Sequence, residues 1–226
     1  MTMFDDIIRR KRSEVDDPEP RWPAVVCLLA VGGLYLALPQ SLVVGPRWLL
    51  LVLVTVLTVP TVIAWRRGHH VANQWLGYAI SSIVTISMIG SVVLLVIALP
   101  KHVEQPVALL RSAAALWITN ILVFALWYWR LDAGGPNERD LIVGHHDGAF
   151  LFPQMMMHQD AKRKAGEELW SPTFVDYLFL SFNTSTALSP TDTAVLSRWA
   201  KALMMIQSVI SLTVIALLAA RAVNIL

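Results

Sequence analysis

This chain of 226 residues is 56% hydrophobic, only 15% charged, and has a formal net charge of +2. Soluble domains are nearer one-quarter charged, so the composition excludes a water-soluble core for most of the chain and predicts an all-α, polytopic integral membrane protein. The lipid bilayer is an expected partner, and no nucleic-acid partner is expected. The single cysteine, Cys27, excludes an internal disulfide and a site with several thiolate ligands.

Five apolar stretches are long enough to cross a bilayer, whose hydrocarbon core of about 30 Å needs about 20 helical residues. Residues 1–21 precede them and are predicted as a cytoplasmic N-terminal segment. The first four stretches form a predicted four-helix membrane domain over residues 22–129, and the fifth closes the chain. The stretches are Trp22–Pro46, Trp48–Trp65, Gly68–Pro100, Ser112–Trp129 and Ala202–Ala220.

Basic residues are unevenly distributed between the two ends of these stretches. Cytoplasmic loops carry the excess of Lys and Arg, so the N-terminal segment and a hydrophilic loop of residues 130–171 are predicted to be cytoplasmic. We expect a multi-pass protein of the bacterial plasma membrane (inner membrane). The basic residues on the predicted cytoplasmic side are Arg9, Arg10, Lys11, Arg12, Arg21, Arg66, Arg67, Arg130, Arg139, Lys162, Arg163 and Lys164, against Arg47, Lys101 and Arg111 on the other.

The hydrophilic loop contains two short apolar runs, Leu141–Val143 and Ala149–Phe152, on either side of a Gly-bounded polar turn. This pattern predicts a small hairpin packed on the membrane face. Several side chains here are metal ligands by type, but helical H-x-x-x-H spacing and cysteines are missing, so a polar turn is favoured over a metal site. No metal or cofactor is predicted. The side chains are His145, His146, Asp147, His158 and Asp160.

Two Ser-Pro-Thr sequences, at 171–173 and 189–191, predict the starts of the last two helices. Ser is a common N-cap, Pro is common at the first helical position, and Asp192 completes a capping box in the second case. The predicted helices are Pro172–Leu188 and Pro190–Asn224. The first is short and ends in Asn183–Thr186, which favours a re-entrant helix buried by neighbouring subunits over a full crossing. We therefore predict five transmembrane helices plus a re-entrant, pore-like helix, with residues 172–226 as the closing unit.

The segment Ser181–Asp192, S-F-N-T-S-T-A-L-S-P-T-D, resembles the pore helix and filter of the potassium-channel (voltage-gated-like ion channel) superfamily. That superfamily's pattern, S-x-x-T-x-T-T-V-G-Y-G-D, is matched at Ser181, Thr184, Thr186 and Asp192, and conservatively at Leu188. The resemblance implies that the fourth span, the pore-like helix and the last span are outer, pore and inner helices. It further implies a homo-oligomer, with a tetramer favoured, that conducts small inorganic ions. The closing third also resembles bacterial membrane proteins of unknown function, a likeness that implies no activity.

The filter sequence differs from the superfamily pattern, because Ser189, Pro190 and Thr191 stand where Gly, Tyr and Gly would stand. A potassium filter uses consecutive backbone carbonyls whose alternation depends on glycine, and proline fixes its own φ. A filter of non-potassium type is therefore expected. The implied pore and filter residues are Asn183, Thr184, Ser185, Thr186, Ser189, Pro190, Thr191 and Asp192, with Gln207 and Ser211 lining the pore from the inner helix.

Two other functions remain open at this point. In a non-conducting membrane scaffold, the hydroxyls would bond back to their own helices, and Asn120 and Gln207 would only hold helices together. A membrane enzyme could use the histidines of the hydrophilic loop, although the sequence offers no recognisable nucleophile, phosphate loop or metal spacing. The prediction is a channel-like protein that is not an enzyme.

Overall fold

The computed structural model describes residues 19–98, 106–140, 148–165, 170–186 and 192–223, and most of these residues are helical. Two 3-10 turns, Gln40–Leu42 and Asp132–Gly134, and two short strands, β1 (Phe150–Leu151) and β2 (Ala194–Val195), accompany the helices. The helices are α1 (Trp22–Leu36), α2 (Trp48–Arg66), α3 (His70–Ala98), α4 (Pro106–Leu131), α5 (Pro136–Arg139), α6 (Pro153–Met156), α7 (Gln159–Ala165), α8 (Phe174–Thr186) and α9 (Arg198–Val223).

Among the described residues, four helices are long and apolar enough to cross a membrane: α2, α3, α4 and α9. This confirms an all-helical protein with several membrane-length helices. The first predicted span, Trp22–Pro46, is instead a 15-residue helix, α1, followed by a 3-10 turn. The helix ends at Leu36 because Pro39 disfavours helical geometry in the residue before it. At 1.5 Å per residue, α1 is about 22 Å long.

The apolar core lies between α1, α2, α3 and α4, which pack side by side, and it continues along α4 to α8 and α9. The side chains at the centre of this core are aliphatic or methionine, so they need no hydrogen-bond partner when buried. In contrast, the outer faces of α2 and α3 expose large apolar side chains, as expected of helices in lipid. Central members of the core are Val31, Val54, Val84, Met88, Leu116 and Val123.

The loop after α4 is fixed to the end of this bundle by Asp132, which is 0% exposed. Its carboxylate accepts hydrogen bonds from the Tyr177 hydroxyl at 2.6 Å and from the Ala149 backbone N–H at 2.6 Å. Arg139 donates to the carbonyl oxygens of Trp129 at 2.8 Å and Asp132 at 2.9 Å. These bonds bring α8, β1 and α5 to the end of α4.

The strand pairing differs from the predicted hairpin. Phe150–Leu151 is a strand, but it pairs antiparallel with Ala194–Val195, just before α9. The other run of the predicted hairpin, residues 141–143, lies outside the described residues, as do His145, His146 and Asp147. The apolar run after the polar turn therefore anchors the segment that leads into the last helix.

The starts of the last two helices also differ from the predictions. The expected start of α9 at Pro190 is wrong, because residues 194–195 are a strand and the helix begins at Arg198, where the Ala200 N–H donates to the Ser197 hydroxyl. The start of α8 is Phe174, not Pro172. There, Asp176 accepts hydrogen bonds from the Thr173 N–H at 2.7 Å and the Thr173 hydroxyl at 2.9 Å, an arrangement that satisfies the helix start.

Close packing of α1 on α2 predicts opposite effects for two adjacent glycines. A Cβ at Gly32 would lie 2.7 Å from Leu51 Cδ1 and 3.1 Å from Leu51 Cα, whereas a Cβ at Gly33 would meet nothing within 4 Å. We expect Gly32→Ala to destabilise the protein by about 1–3 kcal/mol through overpacking. Gly33→Ala is the matched control, and helix propensity makes it neutral or slightly stabilising. Thermal unfolding in detergent measures both, and equal midpoints would contradict this packing.

Candidate functional site

Helices α8 and α9 run in the same direction, and α4 runs opposite to both. Along α8, Ser181 and then Ser185 meet Gln207 and then Ser211 of α9, in the same order. Along α4 the order is reversed, since Trp117 meets Ser211 and Tyr128 meets Gln207. The short helix α8 therefore lies between two membrane-length helices, parallel to α9 and antiparallel to α4.

The segments before and after α8 lie at the same end of the bundle. At the start of α8, the Phe174 N–H donates to Glu19 Oε1 at 2.8 Å, and the Phe174 ring packs edge-on against Trp129. After α8, the Leu196 N–H donates to the Ala149 carbonyl at 2.8 Å, next to β1. Helix α8 thus runs from this end toward the middle of the bundle, and β2 lies at the same end as the start of α8.

A buried polar cluster joins the three helices where α8 lies between α4 and α9. Gln207 is its centre: its Nε2 lies 2.8 Å from both the carbonyl and the hydroxyl of Ser181 and 2.7 Å from the Ser185 hydroxyl. The Tyr128 hydroxyl donates to Gln207 Oε1. We call this group the amide–hydroxyl cluster, and its members are Asn120, Tyr128, Ser181, Ser185, Gln207 and Ser211.

The remaining bonds of the amide–hydroxyl cluster connect side chains to backbone carbonyls. Ser211 donates to the Ser185 carbonyl at 2.6 Å, and Ser181 donates to the Ile121 carbonyl at 2.6 Å. Asn120 Nδ2 donates to the Gln207 carbonyl at 3.3 Å, while Asn120 Oδ1 is buried without a partner among the described residues. Because unpaired amides and hydroxyls are costly in hydrocarbon, these bonds hold α8 at one depth and one rotation.

Of the eight predicted filter residues, the structure describes five, and these differ in exposure. Thr184 and Ser185 are buried, Asn183 is half-buried, and Thr186 and Asp192 are exposed. Thr184 and Thr186 donate back to carbonyls of their own helix, at Leu180 and Phe182. The other three predicted filter residues, Ser189, Pro190 and Thr191, lie outside the described residues.

The predicted inner-helix residues, Gln207 and Ser211, are both buried against α8. Within one chain their polar atoms face α8 and α4, so a lining role would need a rearrangement of the cluster. Their lining of a pore remains a prediction.

Sequence reasoning missed several residues of this region. Tyr128 lies between two tryptophans at the end of α4 and has no distinguishing mark in the sequence, but it is fully buried and bonded to Gln207. Glu19 resembled part of a charged tail, but it accepts hydrogen bonds from Trp129 Nε1 and Arg139 as well as from Phe174. The sequence shows only that an ionisable or hydroxyl group lies beside an apolar stretch. It does not show which residue that group contacts.

Electrostatics at the start of α8 depend on burial. Arg21 forms ion pairs with Glu19 and Asp140, and Arg139 forms a third with Glu19. Burial raises the pKa of Asp140 above its usual value, and the nearby Arg21 charge only partly offsets this effect. Burial likewise lowers the pKa of Arg21 below its usual value. In the described part of the chain, no three His, Cys, Asp or Glu side chains are grouped to hold a metal ion.

From the amide–hydroxyl cluster we predict that Gln207 contributes more to the free energy of unfolding than other polar residues of α9 do. Gln207→Leu leaves the Tyr128 and serine hydroxyls without their central partner, and we expect a loss of about 1–3 kcal/mol in unfolding free energy. The control is Thr213→Val, because the Thr213 hydroxyl donates only to Val209 of its own helix at 2.8 Å. Chemical unfolding in detergent compares the two, and a Gln207→Leu protein as stable as the control would show the cluster to be unimportant.

No family model, curated protein or solved structure matches this chain. The resemblance to potassium-channel pores therefore depends on residues 181–192 alone and stays a prediction.

Proposed function

We propose that this chain is a subunit of a channel-like, multi-pass protein of the plasma membrane (inner membrane). In this proposal α1, α2, α3, α4 and α9 cross the bilayer, with residues 1–21 and 130–171 in the cytoplasm. Helix α8 is re-entrant, enters from the cytoplasmic side and returns to it. The ion path follows α8, at residues 187–192, in a homo-oligomer in which a tetramer is favoured.

The observation that carries this proposal is the depth at which α8 ends. The Ser185 carbonyl is bonded to Ser211, which lies midway along α9, about 20 Å from the first residue of that helix at 1.5 Å per residue. The chain must reverse between Thr186 and β2, since β2 is back at the starting end. Backbone that reverses at membrane depth is tolerated only where protein buries it or where it lines a water-filled cavity.

The outer face of α8 supports an assembly of several chains. Val175, Phe179 and Phe182 are spaced along one face of the helix and are exposed, the first two by 60% and 61%. On the side that contacts α9, Ser181 and Ser185 are buried. An apolar outer face next to a reversing backbone fits contact with a second copy, which would also enclose residues 187–192.

The kind of ion that the proposed path would favour is inferred from side chains that are not members of the amide–hydroxyl cluster. Thr186 and Asp192 are exposed, and with Ser189 and Thr191 they supply hydroxyls and one carboxylate per subunit. Rings of carboxylates favour cations. Pro190 stands where the superfamily pattern has tyrosine, and this argues against potassium-type coordination. We therefore propose cation permeation through a filter of non-potassium type.

A non-conducting scaffold is the second candidate, and one specific observation favours it. Within a single chain, Ser185, Gln207 and Ser211 already have hydrogen-bond partners, so these three side chains are satisfied without any pore. In this alternative α8 only stabilises the contact between α4 and α9. No comparable observation in the described residues favours a membrane enzyme.

Ion flux through purified protein in liposomes separates the two candidates. We expect cation flux above that of empty liposomes, and we expect Asp192→Asn to reduce it several-fold, because the substitution removes one negative charge per subunit from the path. Asp160→Asn in α7 is the matched control and keeps wild-type flux. Absence of flux for every monovalent and divalent cation tested would contradict permeation and leave the scaffold.

A further inference from the structure

Arg130, at the last turn of α4, is the one buried guanidinium in the described residues without a charged partner. The ion pairs found there within 4.0 Å involve Arg21 and Arg139. Arg130 is only 6% exposed, and its Nε has no hydrogen-bond partner. Burying a cation without an anion is costly, so this position calls for a negatively charged group that the described chain does not supply.

The surroundings of Arg130 hold its guanidinium in place. One face lies 5.4 Å from the centre of the Trp129 ring, a favourable cation–π contact that does not give the buried Nε–H a hydrogen-bond acceptor. The group also occupies a notch in α3, because a Cβ at Gly77 would lie 1.7 Å from Arg130 Nη1. Arg130 is therefore fixed at the meeting point of α3, α4 and the turn before α5.

Two cavities meet at Arg130. One is a groove among α1, α2, α3 and α4, lined mainly by apolar side chains and by Arg130 and Arg21 at its end. The other is a polar cleft at the end of the bundle, formed by the start of α3 and the turn that contains Pro136. The apolar part of the groove is formed by Ala24, Val25, Leu28, Val62, Trp65 and Ile80.

We propose that this groove binds an anionic phospholipid, with the phosphate at Arg130 and one acyl chain along the apolar lining between α1 and α2. A guanidinium beside an apolar groove at the end of membrane-length helices matches a lipid's two parts, a charged headgroup and a hydrocarbon tail. Basic pockets between helices at the cytoplasmic side bind anionic headgroups in this way. The proposal uses the membrane placement given above but not ion permeation.

The lipid test uses the full chain purified in neutral detergent. Dioleoylphosphatidylglycerol, dioleoylphosphatidylcholine and inorganic phosphate are titrated separately, with thermal unfolding and native mass spectrometry as readouts. We expect phosphatidylglycerol to raise the unfolding temperature and to remain bound in the mass spectrum, and the other two to do neither at equal concentration. Equal effects of the two lipids, or an effect of inorganic phosphate alone, would overturn the proposal.

Variants test the assignment to Arg130. Arg130→Gln removes the charge and is expected to weaken phosphatidylglycerol binding about tenfold or more. Arg111→Gln, exposed near the other end of α4, is the matched control and keeps wild-type binding. Val62→Trp fills the groove while keeping Arg130 and should also abolish the bound lipid. Unchanged phosphatidylglycerol binding in Arg130→Gln or in Val62→Trp would contradict the site, and the second variant decides if the first does not fold.

Discussion

The closing unit depends on one buried amide. Gln207 lies in α9, contacts two serines of α8 through its nitrogen and accepts from Tyr128 of α4 through its oxygen. Since hydrocarbon offers no alternative partner, separating these helices would leave several polar groups unsatisfied at once. The depth and rotation of α8 are therefore set by hydrogen bonds, whereas α1–α4 are held together mainly by apolar packing.

The hydrogen bonds of Gln207 distinguish two faces of α8. The face toward α4 and α9 is committed to the amide–hydroxyl cluster, and the start of the helix is held by Glu19 and Thr173. Among the described residues of α8, the outer face with Val175 and Phe179 is exposed and is available for contact with another subunit in the proposed assembly. The lipid groove at Arg130 lies among the other helices, so α4 is shared by both proposed sites: its Asn120 and Tyr128 serve the cluster, and its last turn serves the lipid.

Sequence patterns predicted the long helices well, because an apolar run of membrane length has few alternatives in lipid. Local signals predicted the start of α9 wrongly. Ser189, Pro190 and Asp192 form a helix-start pattern, but Ala194 and Val195 pair with Phe150 and Leu151 as strands. A local pattern carries no information about a strand partner more than 40 residues away, so it could not predict that α9 begins later. Tyr128 and Glu19 were missed because their partners are distant in sequence, and composition carries no such information.

The central claim is that α8 enters and leaves the membrane on one side, and sidedness labelling tests it most directly. With Cys27 replaced by serine, single cysteines are placed at Ser171 and Leu196, before and after the segment, with references at Arg67 and Arg47. A membrane-impermeant maleimide is applied to intact and to permeabilised cells. The expected result is that Ser171→Cys and Leu196→Cys behave alike and match Arg67→Cys, labelling only after permeabilisation, while Arg47→Cys labels in intact cells. Labelling of Leu196→Cys from outside, with Ser171→Cys protected, would mean that α8 crosses the bilayer completely and would contradict the claim.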